Sequence, residues 1–221
     1  GYPESGCNLI GTPGVDLFID RDAVARIFAE DRSQPLIRYY GALGLFTRSS
    51  LQRSKLVAFC GPEGFGKSFW LIDVAWRAML SRLRVAYFDM GDMTEEQVGE
   101  RFMVKAARKP FESSTGEYPH SIQIPTGIVF DGKVPEVQFE EKSYKTPLDE
   151  LKAWSACEEV MRTRVKSKRS FFKLVNWPSK TKTVIDIADT LRGWELSGWV
   201  PDVCCVDYAD IIAPVNRKAS G

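Results

Sequence analysis

Gly61-Pro62-Glu63-Gly64-Phe65-Gly66-Lys67-Ser68 follows the pattern G-x-x-x-x-G-K-[ST], the loop type whose backbone N–H groups cradle phosphates. Glycines let those N–H groups turn inward around a β-phosphate, and the N-terminus of a following helix adds its positive dipole end. Lys67 would reach the β- and γ-phosphates, and the Ser68 hydroxyl is placed to ligate Mg²⁺. The expected ligand is a nucleoside triphosphate with magnesium. Such a loop needs a strand before it and a helix after it. Lys55-Leu56-Val57-Ala58-Phe59-Cys60 reads as a short buried strand, and Leu71, Val74, Ala75, Ala78 and Met79 share one face of a helix. The alternative is a glycine-rich turn that matches by chance, against which both flanks argue.

A second element fits the same site. Val203-Cys204-Cys205-Val206-Asp207 is an apolar run ending in a carboxylate, the form of a strand whose C-terminal end carries a magnesium or magnesium-water ligand. A buried strand ending at a turn aspartate is the plainer alternative. Phe171-Phe172-Lys173-Leu174-Val175-Asn176 reads as another strand, followed by Val184, Ile187, Ala188, Leu191 and Trp194 at helical spacing. Arg84-Val85-Ala86-Tyr87-Phe88-Asp89 is a further strand, leading through Met90-Gly91-Asp92-Met93 to the capping box Thr94-Glu95-Glu96-Gln97. Strands alternating with helices predict an α/β fold with a mainly parallel sheet. Ligands of such sheets bind outside the strand C-termini, where the loop 61–68, Asp89, Asp92, Asn176 and Asp207 would converge.

The order of these pieces resembles the RecA-like P-loop ATPase core, and within it the motor domain of DnaB-type replicative helicases and their phage and KaiC/RadA-like relatives. Ser50-Leu51-Gln52-Arg53-Ser54-Lys55-Leu56 is similar to the family's lead-in, and Val85 to Gln97 to the segment after its second strand. Val206-Asp207-Tyr208-Ala209-Asp210-Ile211-Ile212 is similar to its Walker B stretch, which typically continues with a tyrosine. The likeness covers roughly residues 50–107 and 171–212. It implies ATP and Mg²⁺ as ligands, a ring or filament of like subunits, and single-stranded DNA as a partner. The sequence departs from the family at two points. An ungapped comparison puts Gly91 where the family keeps a glutamate that polarises the attacking water. Asp92 takes that place if the loop is one residue longer, with Asp89 and Glu63 as further candidates. The chain also ends at residue 221, before the strands where the family keeps its γ-phosphate sensor and arginine finger, so a partial core is expected. Arg217 and Lys218 read as a basic tail more readily than as substitutes.

Whole-chain properties set the frame. The 221 residues, 44% hydrophobic, allow one principal core with an insertion but not two full α/β domains. Thirty basic and twenty-nine acidic residues leave a net charge of +1, so any nucleic-acid surface must be local. Five cysteines without metal-ligand spacing, and no apolar stretch approaching a signal sequence or membrane span, suggest a reduced, cytoplasmic protein with no membrane partner, and the resemblance implies a bacterial or phage-like setting. Cys60, Cys204 and Cys205 fall in predicted core strands, as small buried residues. The single histidine, His120, lies among loop residues.

Residues 1–49 read as a lead-in with one helix over 22–30 and an aromatic pair, Tyr39-Tyr40, to pack on the core or a neighbouring subunit. Residues 50–221 form the core, interrupted at about 109–146 by a β-hairpin centred on Asp131-Gly132. Thr146-Pro147 then reads as N-cap and first residue of a helix bearing Ala153, Cys157, Val160 and Met161 on one face. Its end holds the only dense basic run, with Arg162, Arg164, Lys166, Lys168 and Arg169. These could contact nucleic-acid phosphates, or be a solvated helix end whose cations complement the macrodipole. Lys180 and Lys182 are a second candidate contact. Three functions remain open: a DNA-stimulated ATPase with Lys67, Asp92 and Asp207 in catalysis, an ATP-dependent switch with little turnover, and a small-molecule kinase. The kinase would need an acceptor pocket and an Arg-rich lid, neither visible in the sequence.

Overall fold

A computed structural model describes residues 35–130 and 135–215, together with Arg21. Its elements run α1 (Gly41–Thr47), α2 (Lys67–Leu80), β1 (Val85–Asp89), α3 (Glu95–Ala107), β2 (Ser121–Phe130), β3 (Pro135–Ser143), α4 (Glu150–Glu159), β4 (Phe172–Asn176), α5 (Val184–Leu196) and β5 (Val203–Asp207). A π-helical segment, Val160–Val165, continues α4, and a 3₁₀ turn, Ala209–Ile211, follows β5. The chain is α/β: β4, β1 and β5 form a three-stranded parallel sheet in that order, flanked by helices.

The central strand β1 is buried along its whole length, as a parallel strand covered on both faces should be. Alternate residues feed two cores. Val85 and Tyr87 join Ile72, Val74, Ala75 and Ala78 of α2 and Val98 and Phe102 of α3. Ala86 and Phe88 face Ile187 of α5 and Trp199, with Leu191 and Trp194 packed alongside. The expected faces of α2 and α5 are therefore used, with two exceptions on α5: Val184 and Ala188 point to solvent. Both helices flanking the sheet's polar end carry capping boxes. Thr94 and Gln97 exchange hydrogen bonds at the start of α3, and Thr183 and Asp186 do so at the start of α5.

The structure corrects several expectations. Residues 55–60 form no strand and join no ladder among the described residues, so Ser68 and Asp207 are not carried by two paired strands. That run is held by packing of alternate side chains. Val57 and Phe59 sit against the α2 core, Phe59 stacking on Trp70 at 5.9 Å, while Leu56 is fully exposed. Cys60 and Cys204 are exposed and only Cys205 is buried, which pushes its thiol pKa up to about 12. The helix expected from Thr146 begins at Glu150 behind the N-cap Asp149, whose side chain accepts from the Lys152 N–H. The reason is Leu148, which is buried and bonded through its N–H to the Pro110 carbonyl, so the chain there is committed to packing before it can coil.

The hairpin β2–β3 is longer than its sequence signal, pairing antiparallel from Ser121↔Ser143 to Phe130↔Pro135 with an irregularity between Pro125 and Gly127. Its expected turn, Asp131-Gly132, lies outside the described residues, as do the helix expected over 22–30 and Arg217 and Lys218. Tyr39 packs on the core, donating its hydroxyl to Asp73 at 2.8 Å beneath the Arg77 guanidinium, whereas Tyr40 is exposed. Among the described residues no helix is long and apolar enough to cross a membrane.

Candidate functional site

Parallel pairing lines up three polar residues at the C-terminal edge of the sheet. Asn176 of β4 is the register partner of Asp89 of β1, and Asp89 that of Asp207 of β5. Both carboxylates are fully buried. The loop 61–68 leads into α2 beside them, and α2 packs on β5, so Ser68 meets Asp207. The Ser68 hydroxyl donates to Asp207 Oδ1 at 3.3 Å, and the Tyr87 hydroxyl donates to Oδ2 at 2.9 Å.

The loop leaves the start of α2 uncapped. Gly66 is the N-cap of α2 in the left-handed region (φ 79°) and makes no side-chain capping bond. The first N–H groups of the helix are thus left without a capping acceptor, while the dipole end points outward. Lys67 is folded over the loop, donating through Nζ to the Gly61 and Pro62 carbonyls at 2.9 and 3.0 Å, with the Tyr208 ring 5.2 Å away. An ammonium has three donors, so two carbonyls hold it in place and leave one for an incoming anion. Glu63 and Phe65 lie exposed at the loop's rim.

The electrostatics of the edge are lopsided. Burial raises the Asp207 carboxyl above its ordinary pKa by more than the Tyr87 and Ser68 hydroxyls offset, and Asp92 adds to the rise while Arg101 opposes it. Asp89 is also raised, first by burial and then by Asp207 and Asp92, against the N–H groups of Gly91 and Met93. Carboxylates gathered without an equal number of cations form a place where a positive ion is welcome. Oxygens of Ser68 and Asp207 stand close enough to share one hard cation. No cluster of three or more His, Cys, Asp or Glu side chains able to hold a metal occurs among the described residues.

A side chain at Gly91 would be strained and would force the neighbouring loop to shift. Its φ is +95°, and a Cβ would lie 2.2 Å from the Ser179 nitrogen and 2.8 Å from the Pro178 carbonyl carbon. The loop after β4 therefore occupies the space a glutamate would need. Asp92, one residue on, is exposed at the mouth of the site.

The expected nucleic-acid contacts separate. Arg162, Arg164, Lys166, Lys168 and Arg169 lie at the opposite, N-terminal edge of the sheet, since Val165 accepts a bond from Arg82, just before β1, and β4 begins soon after Arg169. Lys180 and Lys182 sit on the site's edge. The Lys180 N–H bonds the Ile211 carbonyl and the Lys182 carbonyl accepts from Ala213, while the Lys182 ammonium faces Asp186 at 3.5 Å and the Trp177 ring.

Sequence reasoning missed Tyr87 and Arg101. Tyr87 had a signal, since a tyrosine inside a fully apolar buried strand needs a partner for its hydroxyl. Arg101, whose guanidinium covers the Phe69 ring at 4.8 Å, had none.

Comparison of the chain with protein-family models, curated proteins and solved structures returned no match.

Proposed function

We propose that this chain is the core of a RecA-like P-loop ATPase, binding ATP with Mg²⁺ and working in a ring or filament as a helicase-like motor on single-stranded DNA. The observation that carries the reading is the meeting of Ser68 and Asp207 beneath the loop 61–68, from parts of the chain far apart in sequence. A chance glycine-rich turn would have no reason to bring its Ser to a buried carboxylate.

ATP with magnesium supplies a phosphoanhydride whose terminal phosphoryl group is open to attack by water. Around it the chain's own groups divide the work. Lys67 and the N–H groups opening α2 would hold the charge of the phosphates, Ser68 and Asp207 would hold the cation, and Asp92 would orient the water. The DNA part of the proposal follows the resemblance of residues 50–107 and 171–212 to replicative helicase motors, and Lys180 and Lys182 are the cations on the edge where nucleotide would sit.

Gly91 favours a second reading, an ATP-dependent switch that binds tightly and turns over little. Its position is closed to a glutamate, and an aspartate shifted by one is a shorter substitute. Steady-state ATP turnover with and without single-stranded DNA, beside Lys67→Ala, separates the two. Turnover stimulated by DNA and abolished in the variant is the expected result. Tight ATP binding without turnover selects the switch, and ATP binding unchanged in Lys67→Ala refutes the site altogether.

A further inference from the structure

The loop that carries Asp92 is gripped on both sides. Asp89 Oδ1 accepts from the Gly91 N–H at 2.9 Å, from the Met93 N–H at 3.4 Å and from the Asn176 side-chain amide at 3.2 Å. The same Asn176 amide donates to the Met93 carbonyl at 2.7 Å. The peptide groups before and after Asp92 are thus tied to one buried carboxylate and one amide at the end of the neighbouring strand. A third hold comes from outside the loop. The Trp177 N–H bonds the Asp89 carbonyl at 2.9 Å, and the chain at 178–179 closes on the Cα of Gly91. Met93 is buried beneath this arrangement and Asp92 is exposed above it.

We propose that Asn176 and Asp89 are positioning residues that fix Asp92 over the nucleotide site, so that the shorter acid can do at its own position what a longer side chain at 91 would do. The proposal rests on the ATPase reading above. A clamp of this kind is more than loop stability requires, because the capping box already anchors the following helix at Thr94 and Gln97. Its chemical purpose is accuracy. A carboxylate that orients water must be held within a fraction of an ångström, and loops hold less well than strands. Here the anchoring groups, Asp89 and Asn176, are strand residues in register.

Asn176→Ala is the decisive variant, because Asn176 is only half-buried and its removal spares the core. Steady-state turnover, ATP affinity and thermal melting are measured on the full chain, with Lys67→Ala and Asp92→Asn alongside. Expected for Asn176→Ala is a fall in kcat of about 10- to 100-fold, the scale of a misplaced reacting group, with KM and ATP affinity within about twofold and Asp92→Asn adding little further loss in the double variant. Asp89→Asn, which keeps an oxygen acceptor for the Gly91 and Met93 N–H groups, should retain most of the rate. A merely structural clamp would lower melting temperature and affinity together and leave the two losses additive. Unchanged kcat in Asn176→Ala, with Lys67→Ala inactive, overturns the positioning role and leaves the ATPase reading standing. Absence of turnover in the unaltered chain overturns the hydrolytic reading, and the positioning role with it.

Discussion

The two ends of the parallel sheet are both charged, and they use charge in opposite ways. At the N-terminal edge opposite signs meet. Asp202, just before β5, accepts from the Arg84 N–H and from the Arg53 guanidinium at 2.8 Å; burial would raise its carboxyl, but these partners hold it below the ordinary value. The basic run beside it is exposed and pairs locally, Arg162 with Glu159. At the C-terminal edge like charges meet. Asp89 and Asp207 are neighbours across one ladder, both fully buried, both raised, with Asp92 above them. Evolution has little reason to bury like charges for stability, since leaving a buried charge uncompensated is costly. The N-terminal edge is what ordinary stabilisation looks like, and the contrast is what the proposed magnesium–nucleotide site would account for at the other edge.

The strongest way to break the contrast is Gly91→Ala. A methyl group there meets backbone at 2.2 Å and must adopt a φ of +95°, a combination that should cost about 3 kcal/mol and shift the denaturation midpoint clearly. A glycine on the other edge of the domain, Gly198, also has positive φ but open space around its missing Cβ. Gly198→Ala should cost only about 1 kcal/mol. Equal losses measured by urea denaturation would mean that the loop 177–182 yields easily and does not close the position.

Asp207→Asn tests the polar edge more directly. The amide keeps the shape and can still meet the Tyr87 and Ser68 hydroxyls, but it removes the charge. Affinity for ATP in the presence of Mg²⁺ should fall about tenfold or more, while affinity in EDTA and thermal stability change little or improve. A loss that is independent of metal would assign Asp207 a structural role.

These contrasts also show which parts of the molecule its sequence could reveal. The strands β1, β4 and β5, the helix after Lys67 and the capping box at Thr94 were all legible, because each is a local pattern: an apolar run, a helical period, a pair of side chains three residues apart. So was the placing of Asn176, Asp89, Asp92 and Asp207 at one edge, which follows from parallel strands alone. What escaped depends on contacts distant in sequence. Nothing near residue 91 says that residues 178–179 will close over it, and nothing near Thr146 says that Leu148 will be drawn into the core and delay the helix. The exposure of Cys60 and Cys204 escaped for the same reason. An apolar run shows that a strand can be buried, while its neighbours decide which face is covered.

Asp89 offers a smaller test, through pH. Its folded pKa lies above the ordinary 3.8, so between 3.8 and the raised value the folded chain binds more protons than the unfolded one. The resulting stability is fully present below 3.8 and is lost as pH rises through the folded pKa. Asp202, lowered in the fold, contributes with the opposite sign, its stability being present above 3.8 and lost as pH falls through its folded pKa. Urea denaturation followed from pH 2.5 to 7 should therefore show a decline above pH 3.8 that Asp89→Asn flattens, and a loss on acidification below pH 3.8 that Asp202→Asn reduces. Parallel curves for the two variants would mean that both edges carry the same kind of charge, and the contrast would disappear.

The smallest expected effect concerns the proposed DNA partner, and it sharpens the comparison by asking which edge such a polyanion would meet. Replacing Lys180 and Lys182 by Ala removes cations at the C-terminal edge, beside the proposed nucleotide site, and replacing Arg164, Lys168 and Arg169 by Ala removes exposed charge from the far edge. Each cation that neutralises a phosphate should, when removed, lower the slope of log affinity against log salt by about 0.7 for a single strand. The pair 180/182 should therefore reduce the slope by up to about 1.4, with the half-buried Lys182, already facing Asp186, giving the lesser share. The far-edge triple should weaken binding at low salt only through long-range attraction, which fades beyond about 8 Å at physiological ionic strength. Fluorescence anisotropy of a labelled oligonucleotide over a salt series measures both. A larger slope change from the far-edge triple would place the strand across the basic run, and coupling to ATP would then have to pass through the whole depth of the sheet.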